Sequence, residues 1–256
     1  MALFEALGCS GLKAPRLWPG AMMFGDQTQE SEARDIVAAA KQAGLTAIDT
    51  SDNYASGESE RMVGRLIADE RSRWIVATKV ANPMSPDPNE RGLSRRWVLQ
   101  EVDNSLRRLG TDWIDLYYMH RDDEQTPIEE TLSTFARLIE TGKIRHYGVS
   151  NFRGWRVARV IETARRVGIP QPVACQPPYS AVRLARWTRR QAHFADRVSA
   201  QSLAAACALK EKEQAALQAI GRKALDRTWI DAALRSGGCE FSDPSAVDAS
   251  SPLTGT

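Results

Sequence analysis

The sequence predicts an α/β chain of the (β/α)8 barrel type, incomplete in its last units, and three observations lead there. Short apolar runs rich in β-branched residues alternate with longer amphipathic stretches up to residue 180. No GxGxxG turn follows the first of these runs, as a dinucleotide-binding open sheet would require. Polar groups close run after run, at Asp49, Lys79, His120, Ser150 with Asn151, and Gln176. In a closed parallel barrel those ends gather on one face, where catalytic loops sit.

The elements follow in order. "FEALGCSGLKAP" (4 to 15) reads as a hairpin with Ser10-Gly11 at its turn. Six strand-like runs come next: "RLWPGAMMF" (16 to 24), "LTAIDT" (45 to 50), "RWIVATKV" (73 to 80), "WIDLYYMH" (113 to 120), "IRHYGVS" (144 to 150) and "PVACQPPYS" (172 to 180). Between them lie helical patterns at 30 to 43, 58 to 69, 94 to 109, 127 to 141 and 153 to 167. Ser94 supplies a polar cap, and Thr126-Pro127 with Glu129 and Glu130 supplies a helix start with early acids. Strands alternating with helices imply a parallel sheet joined by crossovers.

Composition narrows the function. The chain has 256 residues, of which 43% are hydrophobic and 26% charged, enough for a real core. Its formal charge of +2 is spread along the sequence and gives no reason to expect nucleic acid or a membrane surface as partner. Cys9, Cys175, Cys207 and Cys239 lie far apart, with neither metal-ligand spacing nor a disulfide framework, which suits a reducing cytoplasm. The opening "MALFEALGCSGL" lacks the basic region and long apolar stretch of a signal peptide, and no segment approaches a membrane span in length.

Taken singly, Asp49 reads as a cap, Lys79 as a solvated cation and His120 as a structural histidine. Together with Tyr54, in the turn after Asp49, they form a chemical set. A lysine near a tyrosine favours the phenolate, and a carboxylate holds and neutralises the lysine. An unperturbed tyrosine titrates near pH ~10, too high for efficient proton donation at neutrality. The expectation is therefore that Tyr54 needs Lys79, that Lys79 needs Asp49, and that His120 orients a substrate oxygen or relays its proton.

At this point the chain resembles the aldo-keto reductases. The resemblance covers residues 1 to 180 and rests on "IDTSDNYASGESERMVG", "ATKV", "SLRRLGTDWIDLYYMHR", "TPIEETL", "GKIRHYGVSNF" and "QPPYS", in order; "NPMSPDPNERGLSR" resembles the bacterial branch related to potassium-channel β subunits. The resemblance implies a (β/α)8 barrel that binds NADPH without a Rossmann domain and reduces an aldehyde or ketone to an alcohol by hydride transfer, with tyrosine as general acid. The family's tetrad falls on Asp49, Tyr54, Lys79 and His120. Its nicotinamide-carboxamide contacts fall on Ser150, Asn151 and Gln176, and Met22 and Asp49 match positions lining the cofactor cleft. Where the family usually has a threonine after Gly20, this chain has Ala21.

The resemblance divides the chain into a barrel part, 1 to 180, and a tail, 181 to 256, in place of the last two βα units. The tail is rich in Ala and Arg, has no run suited to an interior strand, and reads as helix or disorder. A frameshifted or truncated member, a helical tail that patches the gap, or a partner that supplies the missing surface would each account for it, and the abrupt change favours the first. The leading expectation is a cytoplasmic NADPH-dependent carbonyl reductase with a small-molecule substrate and no metal, its oligomeric state left open. The alternatives are a nucleotide-binding regulatory or redox-sensing subunit without significant turnover, and a truncated inactive remnant.

Overall fold

The computed structural model describes residues 4–177; the tail expected over 181 to 256 lies outside the described residues. Strands β1 (Phe4–Ala6) and β2 (Lys13–Pro15) form the antiparallel hairpin. Its loop is closed by Leu7 N–H donating to Leu12 O at 2.8 Å and by the Ser10 hydroxyl donating to Leu7 O at 2.6 Å.

Five parallel strands follow: β3 (Ala47–Asp49), β4 (Ile75–Val80), β5 (Ile114–Met119), β6 (Ile144–Ser150) and β7 (Ala174–Gln176). Each pairs with the next in chain order, so the order never reverses. A doubly wound sheet reverses at its switch point; a barrel wall grows in one direction, and this sheet is such a wall.

The run at 16 to 24 does not become a strand. It contributes one parallel bridge, Gly20 to Asp49, with Asp49 N–H donating to Pro19 O at 3.0 Å and Ala21 N–H donating to Asp49 O at 2.8 Å. Pro19 has no N–H for a ladder, and after Ala21 the chain turns back, Phe24 N–H donating to Ala21 O. The last strand is also shorter than expected, held to three residues between Pro172 and Pro177.

The helices match their expected spans closely: α1 (Glu30–Gln42), α2 (Glu58–Ile67), α3 (Arg95–Leu109), α4 (Ile128–Glu140) and α5 (Gly154–Arg166). Ser94 caps α3 by accepting from Trp97 N–H, and Gly110, at φ 63°, ends it in the left-handed conformation glycine favours. At α4 the N-cap is Pro127; Thr126 instead donates its hydroxyl to Asp123 at 2.7 Å.

Strand alternation sorts the core into two layers. On the helix side Ile48, Val76, Tyr117, Met119, Tyr147 and Val149 pack against apolar helix positions such as Val63, Val98, Leu132, Phe135 and Val160. On the opposite, lumen side Ala77, Leu116, Tyr118, Val173 and Ala174 form a smaller cluster, capped by Leu7 of the hairpin and by Trp18. The lumen is tight: a Cβ on Gly148 would stand 2.5 Å from the Tyr118 ring and 2.8 Å from Ala174 O.

Candidate active site

In-register parallel pairing lines up strand ends on the lumen side. Asp49 is paired with Ala77, Lys79 with Tyr118, and Ser150 with Gln176, so residues far apart in sequence share one rim. Tyr54 arrives from the loop after β3. It opens a tight turn, Tyr54–Gly57, in which Ala55 and Ser56 take left-handed φ values of 47° and 54° before Gly57 at 88°. Such angles are strained for residues with a Cβ.

Lys79 is the hub, with a side chain only 1% exposed. Its Nζ donates to Asp49 Oδ2 at 2.7 Å, to Thr50 O at 2.8 Å and to the Tyr54 hydroxyl oxygen at 3.3 Å. All three ammonium hydrogens are thus directed, and a charge this deep persists only because a carboxylate and two oxygens surround it. Asp49 Oδ1, also buried, makes no hydrogen bond to any described residue.

His120 meets Tyr54 edge to face, ring centroids 5.8 Å apart. Its Nδ1 lies 3.0 Å from Ser51 Oγ and 3.0 Å from Asn82 Nδ2. Burial, then the nearby charges of Lys79 and Arg121, pulls its pKa from the usual 6.5 down to about 4. The ring is therefore neutral at physiological pH.

The three remaining strand-end residues form a second cluster along the rim. Ser150 donates to Gln176 O at 3.0 Å, and Asn151 Nδ2 donates to His120 O at 2.9 Å and to Ser150 Oγ at 3.1 Å. Asn151 sits at φ 58°, a conformation asparagine tolerates, and its own N–H donates to Gln176 O at 3.1 Å. The Gln176 side-chain amide has no partner among the described residues. Met22 stands apart: 53% exposed, it lies two residues beyond the Gly20–Asp49 bridge and makes no polar contact with the set. Ala21, by contrast, is fully buried.

Ser51 and Asn82 are site residues that sequence reasoning missed. Each lies two residues beyond a strand end, which was the available signal, but neither titrates, so neither stood out beside Asp49 and Lys79. Behind the site, Asp52 is buried, accepts from Ser51 Oγ at 2.9 Å and from Asn53 N–H at 2.7 Å, and has its pKa raised well above the carboxylate range, first by burial and then by Glu60 and Glu101. Among the described residues no group of His, Cys, Asp and Glu side chains is arranged to hold a metal, and no helix is long and apolar enough to cross a membrane.

Comparison with known proteins gives a consistent result. The model of the aldo/keto reductase family matches residues 16–228, running on past Ser180. L-glyceraldehyde 3-phosphate reductase of Escherichia coli (strain K12) is 35% identical over 72% of this chain and 54% of that protein. Aldo-keto reductase YhdN of Bacillus subtilis is 36% identical over 69% of this chain and 54% of its own length. A probable voltage-gated potassium channel subunit beta of Oryza sativa is 33% identical over 69% and 55%. Among solved structures, the aldo-keto reductase AKR11C1 from Bacillus halodurans, holo form, superposes with a TM-score of 0.65 at 30% identity, covering 75% of this chain and 63% of that one. The chain spans about half the length of the curated relatives it matches.

Proposed function

The chain belongs to the aldo/keto reductase family, and from that premise we propose that it reduces an aldehyde or ketone to an alcohol with NADPH, using Tyr54 as the proton donor. The observation that carries the reading is the placement of Lys79 Nζ within bonding distance of both Asp49 and the Tyr54 hydroxyl, with the His120 ring beside the phenol. A positive charge 3.3 Å from the phenol oxygen stabilises the negative charge left there once the proton has moved to substrate. Asp49 fixes the position of that charge. His120, neutral, presents a hydrogen-bonding edge rather than a second cation.

The chemistry of the free groups fits a nicotinamide cofactor. A carboxamide needs one donor and one acceptor, and the Gln176 amide, without a partner among the described residues, offers both together with Asn151 Oδ1, on a frame stiffened by Ser150. The buried Asp49 Oδ1, without a partner among the described residues, is an acceptor left for a cofactor hydroxyl. Met22 would line the cleft beside it. When bound, the nicotinamide supplies the hydride that adds to the carbonyl carbon; the chain's own residues orient the substrate oxygen and deliver its proton.

The test is NADPH fluorescence titration of the full chain, followed by single-turnover decay of NADPH absorbance with a small aldehyde. Saturable binding and aldehyde-dependent decay are expected. Binding without decay would replace this reading with that of a regulatory or redox-sensing nucleotide binder, and neither would leave the remnant.

A further inference from the structure

We propose that Asn82 is a positioning residue that fixes the tautomer of His120; the consequence for turnover rests on the reductase reading above, whereas the tautomer itself does not. An amide nitrogen carries only hydrogens, so Asn82 Nδ2, 3.0 Å from Nδ1, can only donate to it. A proton on Nδ1 would face the amide hydrogens head on. Nδ1 is therefore the bare acceptor nitrogen, and the single proton of the neutral ring resides on Nε2. Ser51 Oγ also stands 3.0 Å from Nδ1, but its single hydrogen is shared among Nδ1, Asp52 Oδ1 and Asn53 Oδ1, so the tautomer rests on Asn82.

Nε2 makes no hydrogen bond to any described residue. Its N–H and the Tyr54 O–H are thus two donors side by side, which is what a carbonyl oxygen needs in order to be held while it is protonated. With the other tautomer, Nε2 would present a lone pair to that oxygen and repel it.

The backbone delivers Asn82 at a cost. β4 ends at Val80, and the buried Ala81 takes φ 128°, a value L-residues rarely adopt, with its carbonyl tied to Gly92 N–H at 2.9 Å. Pro83 restricts Asn82 to extended backbone on the other side. A strained residue before and a proline after are constraints that a solvent-facing loop position does not require, and they aim the amide at the imidazole.

The experiment uses the full chain labelled with nitrogen-15 histidine. Two-bond nitrogen–proton correlation spectra tell which ring nitrogen is protonated, and three histidines are simple to assign with His120→Gln. The expected wild-type pattern is bare Nδ1 and protonated Nε2. In Asn82→Asp the carboxylate should draw a proton onto Nδ1, and kcat should fall by about 10- to 100-fold, the scale for losing the hydrogen-bond partner that orients a metal-bound histidine, with NADPH affinity unchanged. Ser51→Ala should keep the wild-type pattern. Protonated Nδ1 in the wild type would mean that Asn82 presents its oxygen, and would overturn the proposal even if Asn82→Asp failed to fold; so would an unchanged pattern in a folded Asn82→Asp. An inactive chain with the expected pattern would defeat the reductase reading and leave the tautomer assignment standing.

Discussion

Two regions of this half-barrel bury charge, on opposite sides of the same strands, and they use it differently. At the mouth, Lys79 and Asp49 form a close pair beside Tyr54 and His120. On the helix side, Arg108 of α3 joins Glu60 of α2, at 2.6 Å, to Glu101, and donates to Ser105 at 3.2 Å. There every carboxylate oxygen has a donor: Glu60 Oε1 takes the Thr78 hydroxyl at 2.5 Å and Glu101 Oε2 takes Asn104 at 2.7 Å. Burial opposes the Arg108 charge, but Glu60 and Glu101 outweigh it and hold its pKa up. At the mouth, Asp49 Oδ1 and His120 Nε2 remain without partners among the described residues. Buried charge alone does not mark a site; buried charge with unspent hydrogen-bonding capacity at a strand end does.

The sharpest way to break this comparison is at Tyr54. Tyr54→Phe should lower single-turnover reduction by about 10²- to 10⁴-fold, the range for a positioned general acid, while the thermal midpoint barely moves. Lys79→Met should act in the same direction, and the double variant should lose little more than either single one, because both act on one proton transfer. Equal rates in wild type and Tyr54→Phe would remove the mouth's special status.

The helix-side cluster should answer in the opposite currency. Arg108→Met leaves Glu60 and Glu101 buried without their cation, which should lower unfolding stability by about 3 to 5 kcal/mol in urea denaturation, with the rate per folded molecule unchanged. Gly64→Ala probes the same seam sterically: its Cβ would stand 2.4 Å from Leu109 O where α2 meets α3. A loss of about 1 to 3 kcal/mol is expected, measured in the same way.

The smallest effect is one of pH. His120 has its pKa pulled down to about 4 in the folded state, against about 6.5 unfolded. Between those values the unfolded chain binds the extra proton, so stability should fall as pH drops from about 6.5 towards 4. Comparing thermal midpoints at pH 7 and pH 5 in wild type and His120→Gln isolates the contribution, and the variant should show the shallower decline.

Much of this architecture was legible in the sequence. The five helices and the strands around Asp49, Lys79, His120, Ser150 and Gln176 appear where periodicity put them, because period 3.6 and buried β-branched runs are local signals. The run at 16 to 24 misled: its apolar content looked like a strand, while Pro19 removed a ladder donor. Glu60, Glu101 and Arg108 carried no signal of their own, since nothing local says that three such residues from two helices will meet under the sheet. Ser51 and Asn82 were invisible for a related reason: their importance lies in a contact made 69 and 38 residues away.

The left-handed turn after Tyr54 has a consequence for anyone modifying this protein. Ala55 and Ser56 hold angles that glycine would adopt without strain, so the chain forgoes stability at the two positions that aim its phenol. Substituting glycine there would relieve the strain but widen the range of conformations open to the loop. Thermostabilising searches that score only melting temperature would select such changes and, with them, a looser placement of the Tyr54 phenol. Screening at these positions therefore has to select for turnover and stability together.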